Sequence, residues 1–292
     1  MPADPTIHFA KCIDFEMRLG ESPVWDVDRQ RLWFVDILAP AVYAFDPLSR
    51  ETNSYPMPTP VGSIAIADRG RLVVALRTGV HLFDPASGVL EFLVHPEPDI
   101  SVNRLNDGKV GPDGCFWVGS MHDALPRAPS GALYRVTPEG RCTKIIDGLF
   151  VSNGLAWSPD GKTMYHADSR AAYVRAYDFD REGRISNGRS LATFAESDGL
   201  PDGAAVDVEG NYWTAGVTAG VLSKLSPDGQ RLDIIRLPVR APTMPCFGGR
   251  DLKTMFITSL ATDRGGSHQP GTLVSAELKV TGLATPVFGA VT

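Results

Sequence analysis

Four polar side chains stand at matching places in a repeating chain: Glu21 in LGESPVWD, Asn106 in NRLND, Asn153 in SNGLAW and Asp202 in LPDGAAV. Each opens the first strand of its unit. Two carboxylates converging in a partly desolvated space repel, and one must take up a proton unless a cation intervenes. A divalent metal resolves that conflict. Oxygen donors from Glu, Asp and an Asn carbonyl favour a hard ion such as Ca²⁺, Mg²⁺ or Mn²⁺, with water completing the shell. A lone Glu or Asn before a strand is more often a turn residue; the weight here comes from equivalent places in successive repeats.

The elements that must bring these residues together are legible in the turns. Turn signals DPLSR (46–50), ADRG (67–70), GPDG (111–114), SPDG (158–161), DVEG (207–210) and GGRD (248–251) recur. The last five are each followed by an apolar β-type run, and DVDRQRLWFVD (26–36) is an earlier copy. Strand, Gly-containing turn, strand reads as a hairpin. Aligning units on Glu21, Ser63, Asn106, Asn153, Asp202 and Cys246 gives spacings of 42, 43, 47, 49 and 44 residues. That is the period of a four-stranded propeller blade. The expected fold is all-β: a single six-bladed β-propeller domain over 1–292, its first strands lining a central channel. A sandwich fits six equal units less well, because a closed ring leaves no long open edge. HFAKCIDFEMRL (8–19) alternates as a strand, whereas the segment from TLVSAEL onward is short of a blade. The N-terminal strand is therefore expected to complete the last blade and close the ring.

Composition limits the partners. The 292 residues carry a formal net charge of −6 and no basic stripe, which argues against nucleic acid. No run approaches the length of a membrane span, and the first residues lack a signal peptide's basic start and apolar core. A cytoplasmic monomer is the default expectation. Cys12, Cys115, Cys142 and Cys246 are scattered without a CxxC pair and read as buried thiols. DFDREGRI (178–185) imitates an EF-hand start, but the twelfth loop position is Arg189, so it reads as a hairpin turn. Trp33, Trp117, Trp157 and Trp213 recur by blade and suit packing between blades. Nucleophile-elbow, HExxH, Walker A and GxGxxG patterns are absent.

Taken together, GESPVW (20–25), NRLNDGKVGPDGCFWVGSM (103–121), SNGLAWSPDG (152–161), PDGAAVD (201–207) and CFGG (246–249) resemble the senescence marker protein, regucalcin and gluconolactonase family. GSMHD (119–123) is similar to bacterial aldonolactonases such as xylonolactonase. The resemblance implies a six-bladed propeller that hydrolyses sugar lactones with one divalent metal. Ca²⁺ is the first expectation, with Zn²⁺, Mn²⁺, Mg²⁺ or Fe²⁺ as alternatives. It implies that Glu21, Asn153 and Asp202 bind the metal and that Arg104 and Asn106 contact substrate. It also implies that Asp202 handles the proton, and it places His122 at the pocket rim. A metal with open positions can polarise a lactone carbonyl and acidify a water. Asp202 would take the proton of the attacking water, and Arg104 can fork two hydrogen bonds to hydroxyls or an oxyanion. Phosphotriester or aryl-ester hydrolysis on the same scaffold, and a non-catalytic calcium-binding regulatory propeller, are the alternatives. Specificity is expected in the loops 122–131 and 261–271 and in ESDGL before Asp202.

Overall fold

The computed structural model describes residues 7–290. Six four-stranded antiparallel sheets follow one another in chain order, so the expected ring of six blades is present. Five sheets are built from consecutive strands. The sixth takes three strands from 242–277 and its outermost strand, Ala10–Lys11, from the other end of the chain. Ala10 pairs with Ser275 and Lys11 with Val274. The closure is made as expected, but by a shorter strand than 8–19 suggested. Only two residues form ladder pairs, and isolated bridges at Met17 to Gly271 and Leu19 to Leu260 continue the contact. Cys12, Ile13 and Met17 carry the rest of the attachment by burial against Trp25, Phe34 and Phe256.

The innermost strands are Gly20–Asp26, Val61–Ile66, Asn103–Val110, Ser152–Trp157, Pro201–Val206 and Pro242–Gly248. All but one of their residues are buried, the exception being half-buried Lys109. The outermost strands, such as Thr52–Pro56 and Ile185–Thr193, are mostly exposed. Inner strands are covered by neighbouring blades on both sides, which is why they read as apolar runs interrupted by polar residues. Trp117 meets Trp157 edge-on across the third and fourth blades, and Trp213 meets Phe247 across the fifth and sixth. These contacts are the inter-blade packing the tryptophans imply. Residues 178–185 form a hairpin in which the Asp180 carboxylate accepts the backbone N–H groups of Glu182 and Arg184, as in an ordinary turn. Among the described residues no helix is long and apolar enough to cross a membrane.

Every inner strand carries a register shift against its second strand, between Glu21 and Val24, Val61 and Ser63, Leu105 and Gly108, Asn153 and Ala156, Pro201 and Ala204, and Pro242 and Pro245. A bulge re-aims the side chains around it. Ser22 (φ 49) and Gly154 (φ 65) take the left-handed conformation immediately after Glu21 and Asn153. Gly154 has no alternative, since a Cβ there would run into the Tyr212 hydroxyl.

The pairings of Val24 with Trp33, Ala65 with Val73, Ala156 with Tyr165, Ala205 with Trp213 and Cys246 with Phe256 set the equivalence between blades. Lys109 with Trp117 is the third-blade counterpart. Three residues earlier stand Glu21, Gly62, Asn106, Asn153, Asp202 and Thr243. Ser63 and Cys246, taken from the sequence as opening residues, are thus displaced along their strands. The bulge and the Pro242–Pro245 segment hide the true register. Thr243 instead donates from Oγ1 to Gly20 O at 2.6 Å and joins the sixth blade to the first.

Candidate functional site

The bulges deliver Glu21, Asn106, Asn153 and Asp202 to one end of the channel, each less than a tenth exposed. A continuous chain of hydrogen bonds crosses three blades. Arg104 Nε donates to Asp123 Oδ1 at 3.0 Å, and Arg104 Nη1 donates to Asn106 Oδ1 at 2.7 Å. Asn106 Nδ2 donates to Asn153 Oδ1 at 2.9 Å and to Ser152 O at 3.0 Å. Asn153 Nδ2 donates to Asp202 Oδ1 at 2.7 Å and to Ser169 Oγ, also at 2.7 Å. Glu21 Oε2 accepts the Ser22 backbone N–H at 2.8 Å. Ser22 in turn ties the first blade to the second, its Oγ accepting Ile64 N–H at 2.9 Å.

Electrostatics mark the same place. Burial holds the Glu21 carboxyl well above the usual carboxylate range, and the Asp202 and Asp107 charges push it further. Asp202 is raised well above that range by burial and by Asp107, with Arg104 partly opposing. Two buried carboxyls that each resist ionisation beside the other, next to a carboxamide, are what a cation would relieve. Among the described residues no three His, Cys, Asp or Glu side chains gather into a metal cage. The donor set that fits a cation here is one Glu, one Asp and one Asn, all oxygen. A carboxamide has nearly the same shape with oxygen and nitrogen exchanged; turning Asn153 Oδ1 toward a cation beside Asp202 would exchange its hydrogen bonds to Asn106 and Asp202 for that ligation.

His122 lies apart from this chain. It ends the second strand of the third blade, half-buried, paired in register with Asn103. Its Nδ1 lies 3.2 Å from Ala124 O, and its carbonyl accepts Arg127 Nη1.

Two acids escaped the sequence reading. Asp107 is 3% exposed, and its Oδ2 accepts Leu155 N–H at 3.2 Å while Oδ1 has no partner. Strand alternation would turn Asp107 away from Asn106, but the bulge admits both, so only the NRLND run itself gave a signal. Asp123 holds Arg104 and also pairs with Arg77; it follows His122 in GSMHD. Below Asp107, Lys109 Nζ donates to Ala204 O at 2.6 Å, its pKa lowered by burial and supported by Asp107. Lys109 lines a cavity of about 600 Å³ at the opposite end of the channel, bounded by Trp157, Cys246 and the segment 283–287.

A profile of the SMP-30/Gluconolactonase/LRE-like region matches residues 19–261, most of the chain. The chain belongs to this family. The family member 6-deoxy-6-sulfogluconolactonase of Pseudomonas putida is 38% identical over 276 residues, 92% of this chain and 94% of that protein. Among solved structures, a luciferin-regenerating enzyme superposes with a TM-score of 0.91 at 32% identity, covering 97% of this chain and all of that one. A calcium-binding regucalcin of Agrobacterium tumefaciens also superposes at 0.91, with 26% identity over 97% and 98% of the two chains.

Proposed function

We propose that this SMP-30/gluconolactonase-family protein hydrolyses a sugar lactone to the aldonic acid at a divalent metal held by Glu21, Asn153 and Asp202. The observation that carries the reading is the joined set itself. Two mutually repelling buried carboxyls lie beside a carboxamide, and hydrogen bonds run from Asp202 through Asn153 to Asn106 and Arg104. A site that only stored a cation would not need that polar extension. The name of the Pseudomonas relative supports a lactone substrate, and the calcium-binding neighbour supports a hard cation.

Bound there, the metal would polarise the lactone carbonyl and acidify a water. Asp202 accepts a proton from the attacking water as its oxygen joins the carbonyl carbon, then returns the proton to the ring oxygen as the acyl C–O bond breaks. Such general acid-base assistance contributes about 10² to 10⁴ in rate. Burial suits Asp202 to the task, because it raises the carboxylate's affinity for a proton. Arg104, held by Asp123 and less than a tenth exposed, offers its remaining N–H groups to the developing oxyanion or a ring hydroxyl. Asn106 is fixed by three hydrogen bonds and orients Asn153.

The test is acid release from a panel of aldonolactones, a phosphotriester and an aryl ester, by chelated protein and by protein reconstituted with Ca²⁺, Zn²⁺, Mn²⁺, Mg²⁺ or Fe²⁺. Lactone turnover that appears only with metal supports the reading. Metal binding without turnover of any substrate would favour a regulatory calcium-binding propeller.

A further inference from the structure

The corner that holds Arg104 carries more positive charge than the protein neutralises. Asp123 serves two guanidiniums, those of Arg77 and Arg104. Met121, just before the loop that carries Arg127, bridges Val151, and the Val151 carbonyl accepts the N–H of Ser169 beside Arg170, so the two arginines stand on adjoining loops; the Arg127 charge reaches Arg104 and the Arg170 charge reaches Arg127. Neither Arg127 nor Arg170 has a carboxylate within ion-pairing distance among the described residues. Half-buried Arg127 spends one N–H on the His122 carbonyl. The exposed Arg170 guanidinium makes no hydrogen bond among the described residues and adjoins Ser169, whose hydroxyl holds Asn153. Asp123 is therefore ion-paired with two of the four guanidiniums, and its charge also reaches Arg127. The acids deeper in the channel, Glu21, Asp202 and Asp107, repel one another and call for the metal. Like charges held together cost stability unless something offsets them, and a surface arginine is free to turn away. Arg127 cannot do so while bonded to the loop that also supplies Asp123.

We propose that Arg127 and Arg170 form a subsite for an oxyanion, a sulfonate or phosphate, carried on the exocyclic carbon of the lactone substrate. Arginine suits this group, since its planar donors bind such oxygens in pairs. The oxyanion would extend toward the 122–131 loop while the lactone carbonyl faces Asp202. This assignment rests on the lactone-hydrolysis reading of the same site and adds the charge of its substrate.

The experiment compares glucono-1,5-lactone with its 6-phosphate and 6-sulfonate analogues, using metal-reconstituted wild type, Arg127→Gln, Arg170→Gln and the double variant. Calorimetric titration of the same proteins with 6-phosphogluconate reports binding without turnover. Wild type is expected to favour a charged lactone in kcat/KM at least tenfold. The double variant should lower the charged-to-neutral ratio at least tenfold and weaken 6-phosphogluconate binding similarly. The arm with the larger ratio identifies phosphate or sulfonate. Preference for the neutral lactone, or a ratio unmoved by both substitutions, overturns the subsite. If no lactone is turned over under any metal, the hydrolysis reading fails. The titration still decides the subsite: binding lost in the double variant supports it, and binding unaffected overturns it. Arg170→Gln alters an exposed side chain without hydrogen bonds among the described residues, so its effect is not a folding defect.

Discussion

Asp202 and Glu21 carry different burdens although they share one site. Asp202→Asn keeps the side-chain volume and an oxygen for a cation but removes the proposed proton acceptor. Lactone turnover should fall at least about 10²-fold with near-native melting, and wild-type turnover in the metal-loaded variant would remove Asp202 from the proton step. Glu21→Gln should weaken metal affinity at least tenfold, read by calorimetry, while stability falls little or rises. The sign follows from linkage. Both carboxyls bind protons more tightly folded than unfolded, so the metal-free native state loses stability as pH rises from about 4, the ordinary carboxylate pKa, through their raised values. With chelator present, the melting temperature of Glu21→Gln/Asp202→Asn should rise relative to wild type across that window. A constant difference would mean the carboxyls are not strained. The sequence reached Glu21, Asn106, Asn153 and Asp202 because their spacing repeats with the blades. It missed Asp107 because one extra residue in a bulge reverses the alternation that decides which side chains face inward. Asp123 was missed because its importance comes from Arg104 and Arg77, which lie 19 and 46 residues away in the chain.

At the scale of elements, the turn motifs were enough to count blades, since Gly-containing hairpins and apolar runs are local. Register was not local. Thr243 replaces Cys246 only because cross-strand pairing with the second strand fixes the origin of each inner strand. The closing strand shows the same limit. Two ladder pairs are too few to fasten a ring, so burial must do most of the work. Met17 is 1% exposed and leaves no room for a side chain at Gly20, where a Cβ would meet its Cε and Sδ. Met17→Ala should therefore cost about 3 kcal/mol, measured by urea unfolding. Deleting residues 1–18 should cost more, because it also removes Cys12 and Ile13 from the same cluster. A deletion variant that melts with the full-length chain would show that the sixth blade closes without them.

Across the whole molecule, ring closure is reinforced a second time, away from the end that holds Glu21, Asn153 and Asp202. Thr281 and Gly282 meet the fifth blade at Val208 and Asp207, and Leu283 N–H reaches Val206 O at 3.2 Å. The chain then crosses the lower channel mouth. Phe288 N–H bonds Ile66 O of the second blade at 2.8 Å, and Gly289 N–H bonds Gly114 O of the third at 2.9 Å. Blades distant in the ring are thereby joined by one strap that roofs the cavity beside Lys109. Its anchor is Phe288, 5% exposed and packed in the cluster formed between the second and third blades. Truncating such a ring to alanine costs about 3 to 5 kcal/mol when the pocket cannot collapse. Phe288→Ala is expected to lower unfolding free energy by about that amount while leaving metal affinity within about threefold, because Glu21, Asn153 and Asp202 are braced at the other end by hydrogen bonds among the blades. Urea denaturation and calorimetric metal titration on the same variant separate the two effects. A large loss of metal affinity would mean that the strap also holds the geometry of the upper site, and a loss below 1 kcal/mol would mean that the strap merely rests on a ring closed elsewhere.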